Sequence, residues 1–134
     1  MVRPCFLVID REFPGSISTR KLVIETAKFN VITAYSGAEA LETLARFPKM
    51  NGVVLDADMQ DISCERLVQE LKAIAPSIRI VVISAPGTNW CEGADHHLES
   101  LNPRLLLSTL QKLVPEQAAQ VEAHEESLAK DPKA

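Results

Sequence analysis

Three short apolar runs that end on polar residues do most to limit what this chain can fold into. They are "CFLVID" at residues 5–10, "GVVLD" at 52–56 and "IRIVVISA" at 78–85. Each is too short for a typical helix and too continuous for a half-exposed strand. Runs of this kind suit strands buried on both faces of a parallel sheet. "NVITAY" at 30–35 reads as a further short strand.

Helical segments lie between them. Residues 17–29 read as a helix with Val23, Ile24 and Ala27 on one face and Asn30 near its end. "SGAEALETLARF" opens on Ser36 with Glu39 three residues on, which is capping-box spacing, and Pro48 stops it. "ISCERLVQELKAIA" reads as a helix with Ser63 or Asp61 as cap and Leu67, Val68 and Leu71 inward. "NPRLLLSTLQKLV" has Asn102 as cap and Pro103 at its first position, and its leucines are mostly core. Strands alternating with helices predict an α/β fold, a doubly wound parallel sheet.

At 134 residues a single domain is expected. No apolar stretch approaches the roughly 20 residues of a membrane span, and the N-terminus lacks signal-peptide features. The odd count of cysteines, Cys5, Cys64 and Cys91, reads as free thiols in a reducing cytoplasm. The formal charge of −4 gathers at the end of the chain. Residues 115–134 hold Glu116, Glu122, Glu125, Glu126 and Asp131 against Lys130 and Lys133, a balance of −3. They are expected as an acidic polar tail or linker, frayed over much of its length, after a domain spanning 1–114. No Lys/Arg cluster suggests a nucleic-acid footprint, and "STRK" at 18–21 reads as a solvated helix face.

In doubly wound sheets the functional crevice lies at the carboxyl ends of the strands. Asp10, Asp56 and Ser84 each end one of the predicted strands. Three separated stretches thus deliver polar side chains to one edge.

Taken in order, "FLVIDRE", "SGAEAL", "VVLDADM", "VVISA" and "GADHHL" make the chain resemble the receiver domain of bacterial response regulators over residues 5–114. The resemblance implies a flavodoxin-like fold of five strands and five helices. It implies that Asp56 accepts a phosphoryl group from a sensor histidine kinase. Attack by a carboxylate on phosphorus gathers negative charge, which Mg²⁺ neutralises. The resemblance implies that Asp10, Asp56 and the Asp58 carbonyl would hold that ion. Ser84 would contact the bound phosphoryl oxygen.

The chain also departs from the family. Arg11 stands where the second metal-binding acid belongs. A guanidinium cannot ligate Mg²⁺ and would pair with Asp56 or Asp10 in the cation's place. Glu12 is a conceivable substitute ligand. Ser100 replaces the family's lysine, Gln60 its proline after the acceptor motif, and His97 its switching aromatic. Gly93 comes only nine positions after Ser84, where the resemblance implies about fifteen, enough for a whole helix. Pro86 and Gly87 fall in that stretch, so the fourth helix is expected to be shortened or missing. Trp90 would either cover the gap or stand exposed as a partner anchor.

Two readings follow. One is a phosphorelay receiver with Asp56 as acceptor. The other is a phosphorylation-independent pseudo-receiver that binds proteins. Neither is an enzyme. Expected partners are a sensor histidine kinase or another signalling protein, with a homodimer as a further option and no nucleic acid or membrane. A haloacid-dehalogenase-type phosphatase also places Asp-x-Asp on a strand, but its lysine and later acid pair are not found. "CEGADHH" at 91–97 carries metal-ligand residue types without tetrahedral zinc spacing.

Overall fold

The computed structural model describes residues 3–11, 18–85, 91–99 and 102–130. Five strands form one sheet: β1 (Cys5–Ile9), β2 (Asn30–Ala34), β3 (Gly52–Asp56), β4 (Ile80–Ser84) and β5 (His96–Glu99). All pairings are parallel, in the order β2-β1-β3-β4-β5. This is the flavodoxin-like arrangement. The helices are α1 (Thr19–Glu25), α2 (Gly37–Arg46), α3 (Cys64–Ile74), α4 (Pro103–Leu113) and α5 (Pro115–Lys130).

Period-two alternation explains the three layers. Leu7, Ile9, Val53, Leu55, Ile80 and Val82 face one way, onto Ala40 and Leu44 of α2 and Leu67, Val68 and Leu71 of α3. Phe6, Val8, Val54, Val81 and Ile83 face the other, onto Ile24 of α1 and Leu106 and Leu110 of α4. Both faces are covered, which is why the strands read as unbroken apolar runs.

Among the described residues the helix count matches the expected five, but the set differs. Among the described residues no helix lies between β4 and β5. The fifth helix comes from the acidic segment, expected to fray and observed as helix over Pro115–Lys130. Ala118 and Val121 are buried in the α1/α4 core layer, and Arg3 reaches Glu125 at 3.6 Å. Burying these apolar side chains on α4 gives that stretch a reason to stay helical. Pro86, Gly87 and Trp90 lie outside the described residues.

Three local expectations are corrected. Cys64 and Cys91 are not free thiols: they form a disulfide, with Cα atoms 5.9 Å apart across 27 residues of sequence. The fold brings α3's first turn against the β4–β5 connection, and Cys5 is left as a free thiol. A cytoplasmic location argued from free thiols loses that support. Among the described residues no helix is long and apolar enough to cross a membrane. Second, α1 ends at Glu25 with Thr26 as its cap, Lys28 takes the left-handed region at φ 62° in the turn that follows, and Asn30 already begins β2. Third, Ser63 caps α3, and Asp61 turns instead to α2, accepting from the amides of Gly37 at 2.9 Å and Ala38 at 3.0 Å. A carboxylate there meets the exposed amides and positive end of α2.

Candidate functional site

The order of strands reverses at β1, whose neighbours are β2 and β3. A crevice therefore opens beyond the carboxyl ends of β1 and β3. Asp10 follows β1 and Asp56 ends β3, and both are buried. A buried carboxylate needs compensation, and each one here has it.

Asp56 Oδ2 accepts from Arg11 Nε at 3.0 Å and from Arg20 Nη1 at 2.9 Å. Its other oxygen, Oδ1, accepts from the backbone amide of Asp58 at 2.8 Å. Asp10 Oδ2 accepts from the hydroxyl of Ser18 at 2.8 Å. Its Oδ1 accepts from the Arg11 amide at 2.7 Å and lies 3.4 Å from Arg20 Nη1. Two carboxylates and two guanidiniums thus form one neutral cluster. The two arginines differ in depth: the Arg20 side chain is 14% exposed and that of Arg11 55%.

Arg20 is the residue that sequence reasoning missed. "STRK" is corrected from a solvated face to part of the site. Ser18 is fully buried and caps α1, so Arg20 sits at the second helical position. The first turn of α1 lies over the strand ends, within reach of both acids. The signal available in the sequence was the capping serine two residues earlier.

The other candidates occupy their own places. Asp58 offers its carbonyl to Gln60 Nε2 at 3.1 Å. Ser84, buried at the end of β4, has its Oγ 3.3 Å from His97 Nε2 on β5. Asp95, in "CEGADHH", accepts from the Ile80 amide at 2.8 Å and from Lys72 Nζ at 3.0 Å. Burial pulls its carboxyl upward, but the Ile80 amide, Lys72 and Arg79 outweigh that and hold it below the ordinary range. The Gly37 amide leads the contacts that hold Asp61 below its ordinary range. Among the described residues no group of three or more His, Cys, Asp or Glu is gathered to hold a metal ion. Glu12 and Ser100 lie outside the described residues.

A five-stranded parallel sheet in this order, with acids at the β1 and β3 ends, defines a fold class: the chain has the CheY-like fold of response regulator receiver domains. A response regulator receiver domain from Clostridium thermocellum superposes with a TM-score of 0.75 at 22% identity, covering 87% of this chain and 98% of that one. A CheY-like receiver from Methanospirillum hungatei JF-1 gives 0.73 at 20% identity, covering 89% and 99%. Among curated proteins, the transcriptional regulatory protein GlrR of Escherichia coli K12 is 28% identical over 86 residues, 64% of this chain. QseF of Escherichia coli O157:H7 matches equally. The matched stretch is 19% of the length of each of these relatives. No protein-family profile matches the chain.

Proposed function

We propose that this chain is a receiver-type signalling domain that works as a protein-interaction module, with its acid site closed by arginines in place of Mg²⁺. The observation that carries this reading is the double guanidinium contact on Asp56 Oδ2, from Arg11 and Arg20. The oxygens of Asp56 are all engaged, Oδ1 by an amide and Oδ2 by the two arginines. The Asp58 carbonyl accepts from Gln60. The donor set present does not fit Mg²⁺, which needs near-octahedral oxygen ligands, and fixed positive charges in its place oppose its entry.

On this reading the domain turns over no substrate. A signalling protein, such as a sensor histidine kinase or a second receiver-like chain, recognises its surface. Arg11 and Arg20 hold Asp10 and Asp56 in one fixed arrangement, so binding does not wait on phosphorylation.

The test is a ¹H–¹⁵N NMR titration of the whole chain with Mg²⁺ and then beryllofluoride, a phosphoryl mimic. The amides of Asp10, Asp56, Asp58 and Ser84 are expected to stay unmoved. Saturable shifts with Mg²⁺ that grow with beryllofluoride would instead make Asp56 a working acceptor and overturn this reading.

A further inference from the structure

Cys64 and Cys91 are joined at a stretch where, among the described residues, no helix lies between β4 and β5. Cys64 opens α3 directly after its cap Ser63. Cys91 lies in the β4–β5 connection, and both half-cystines are buried in the core layer that holds Leu67, Val68 and Val82. Gly93 has φ 92°, and a Cβ there would meet Val68 Cγ1 at 3.1 Å, so this turn lies directly on α3. Ala94 packs on the same layer, and Asp95 then fastens the start of β5 through Ile80 and Lys72. The covalent bond ties the first turn of α3 to this turn, and Lys72 of the same helix holds Asp95 at 3.0 Å.

We propose that Cys64–Cys91 is a reversible thiol–disulfide site whose state sets how firmly the β4–β5 connection and the edge strand β5 are held. Its co-reactant is a dithiol. When this segment opens locally and exposes the buried pair, one thiolate of the dithiol attacks Cys91 Sγ, and the bond between the two cysteines breaks. Cys64 Sγ departs as a thiolate and takes up a proton. The second thiol of the reductant then loses its proton, attacks its own sulfur in the mixed disulfide, and frees Cys91 as a thiol. The protein gains two electrons and two protons, and the dithiol becomes a disulfide. Cys64 is the better leaving group because the start of a helix favours a thiolate. Cys5 takes no part. It begins β1, an inner strand separated from β4 by β3, and burial pushes its thiol up, away from the reactive form.

The site adjoins two sequence-predicted site residues, Asp58 on one side and Ser84 on the other. The loop that carries Asp58 and Asp61 runs directly into Cys64. His97 of β5 meets Ser84 at the end of β4. This inference rests on the cysteines alone, so it and the arginine-closed site can fail separately.

The experiment equilibrates the full chain with defined ratios of reduced and oxidised dithiothreitol. Thiol alkylation and intact mass report the redox state, and hydrogen exchange reports the structure. The expected result is a joint appearance of the Cys64 and Cys91 thiols. With it, exchange at Ala94, Asp95 and the β5 amides accelerates by roughly 100-fold, while β1 and β3 hold. Reoxidation restores protection, and Cys91→Ser matches the reduced chain. Equal β5 protection in both states overturns the proposal, as does global unfolding on reduction or in Cys91→Ser, since either makes the bond a plain structural staple. Thiols that stay free at every ratio overturn it as well.

Discussion

Arg20, in the first turn of α1, places Nη1 2.9 Å from Asp56 Oδ2 at the end of β3 while also standing 3.4 Å from Asp10 Oδ1. One side chain thus bridges the two acids of the crevice, 10 residues from one and 36 from the other in sequence.

Removing that bridge leaves buried charge uncompensated, which costs more than the bridge itself contributes. Arg20→Ala is expected to destabilise the fold by about 3 kcal/mol, lowering the melting temperature by roughly 10 °C. Arg11→Ala should cost less than about 1 kcal/mol, because its side chain is more than half exposed. Thermal unfolding of the two variants checks the ranking, and equal losses would mean that depth does not decide.

If the arginines are what keeps Mg²⁺ out, restoring an acid should admit it. Arg11→Asp combined with Arg20→Ala is expected to bind Mg²⁺ at roughly millimolar concentration, read by titration calorimetry. Binding no better than in the unaltered chain would place the obstacle elsewhere in the site.

Acid should weaken the fold through Asp61 and Asp95. Both carboxyls are held below their ordinary range in the folded chain. Their contribution is present above the unfolded value of about 3.9 and is lost as pH falls through the lower folded values. The urea midpoint is expected to hold steady down to about pH 5 and to fall below about pH 4. Asp61→Asn and Asp95→Asn should each flatten that acid limb. An unchanged limb in both would remove these two carboxylates from the acid response.

The packing of α5 makes it part of the folded unit. Val121→Asp puts a charge where the side chain is 3% exposed, and is expected to cost about 3 kcal/mol or more. Urea unfolding measures it. A loss under about 0.5 kcal/mol, the range of surface changes, would return residues 115–130 to the status of a linker.

The strands were legible because burial on both faces leaves an unbroken apolar run, as in "GVVLD". The caps Ser36 and Asn102 were legible because capping is local: Ser36 Oγ accepts from the Glu39 amide at 3.0 Å and Asn102 Oδ1 from the Leu105 amide at 3.1 Å. Arg20 was not legible, because its role depends on how α1 is rotated over the strand ends. In sequence it is one more charge on a helix. Asp61 stands near the starts of two helices in space, and its distance along the chain points to the wrong one. The Cys64–Cys91 bond needs the path of the β4–β5 connection, where the sequence offers no periodic pattern. The helical state of residues 115–130 rests on Ala118 and Val121 finding a core layer built from other parts of the chain.

The turn of Asp61 toward α2 has a mechanical consequence. Asp61 grips the first two amides of α2, and Ser63, two residues later, caps α3 through the Arg66 amide. One short stretch downstream of Asp56 therefore clamps the leading ends of both helices. The start of α2 and the start of α3 are thus fixed to each other through three residues, Asp61 to Ser63, rather than each to the sheet alone.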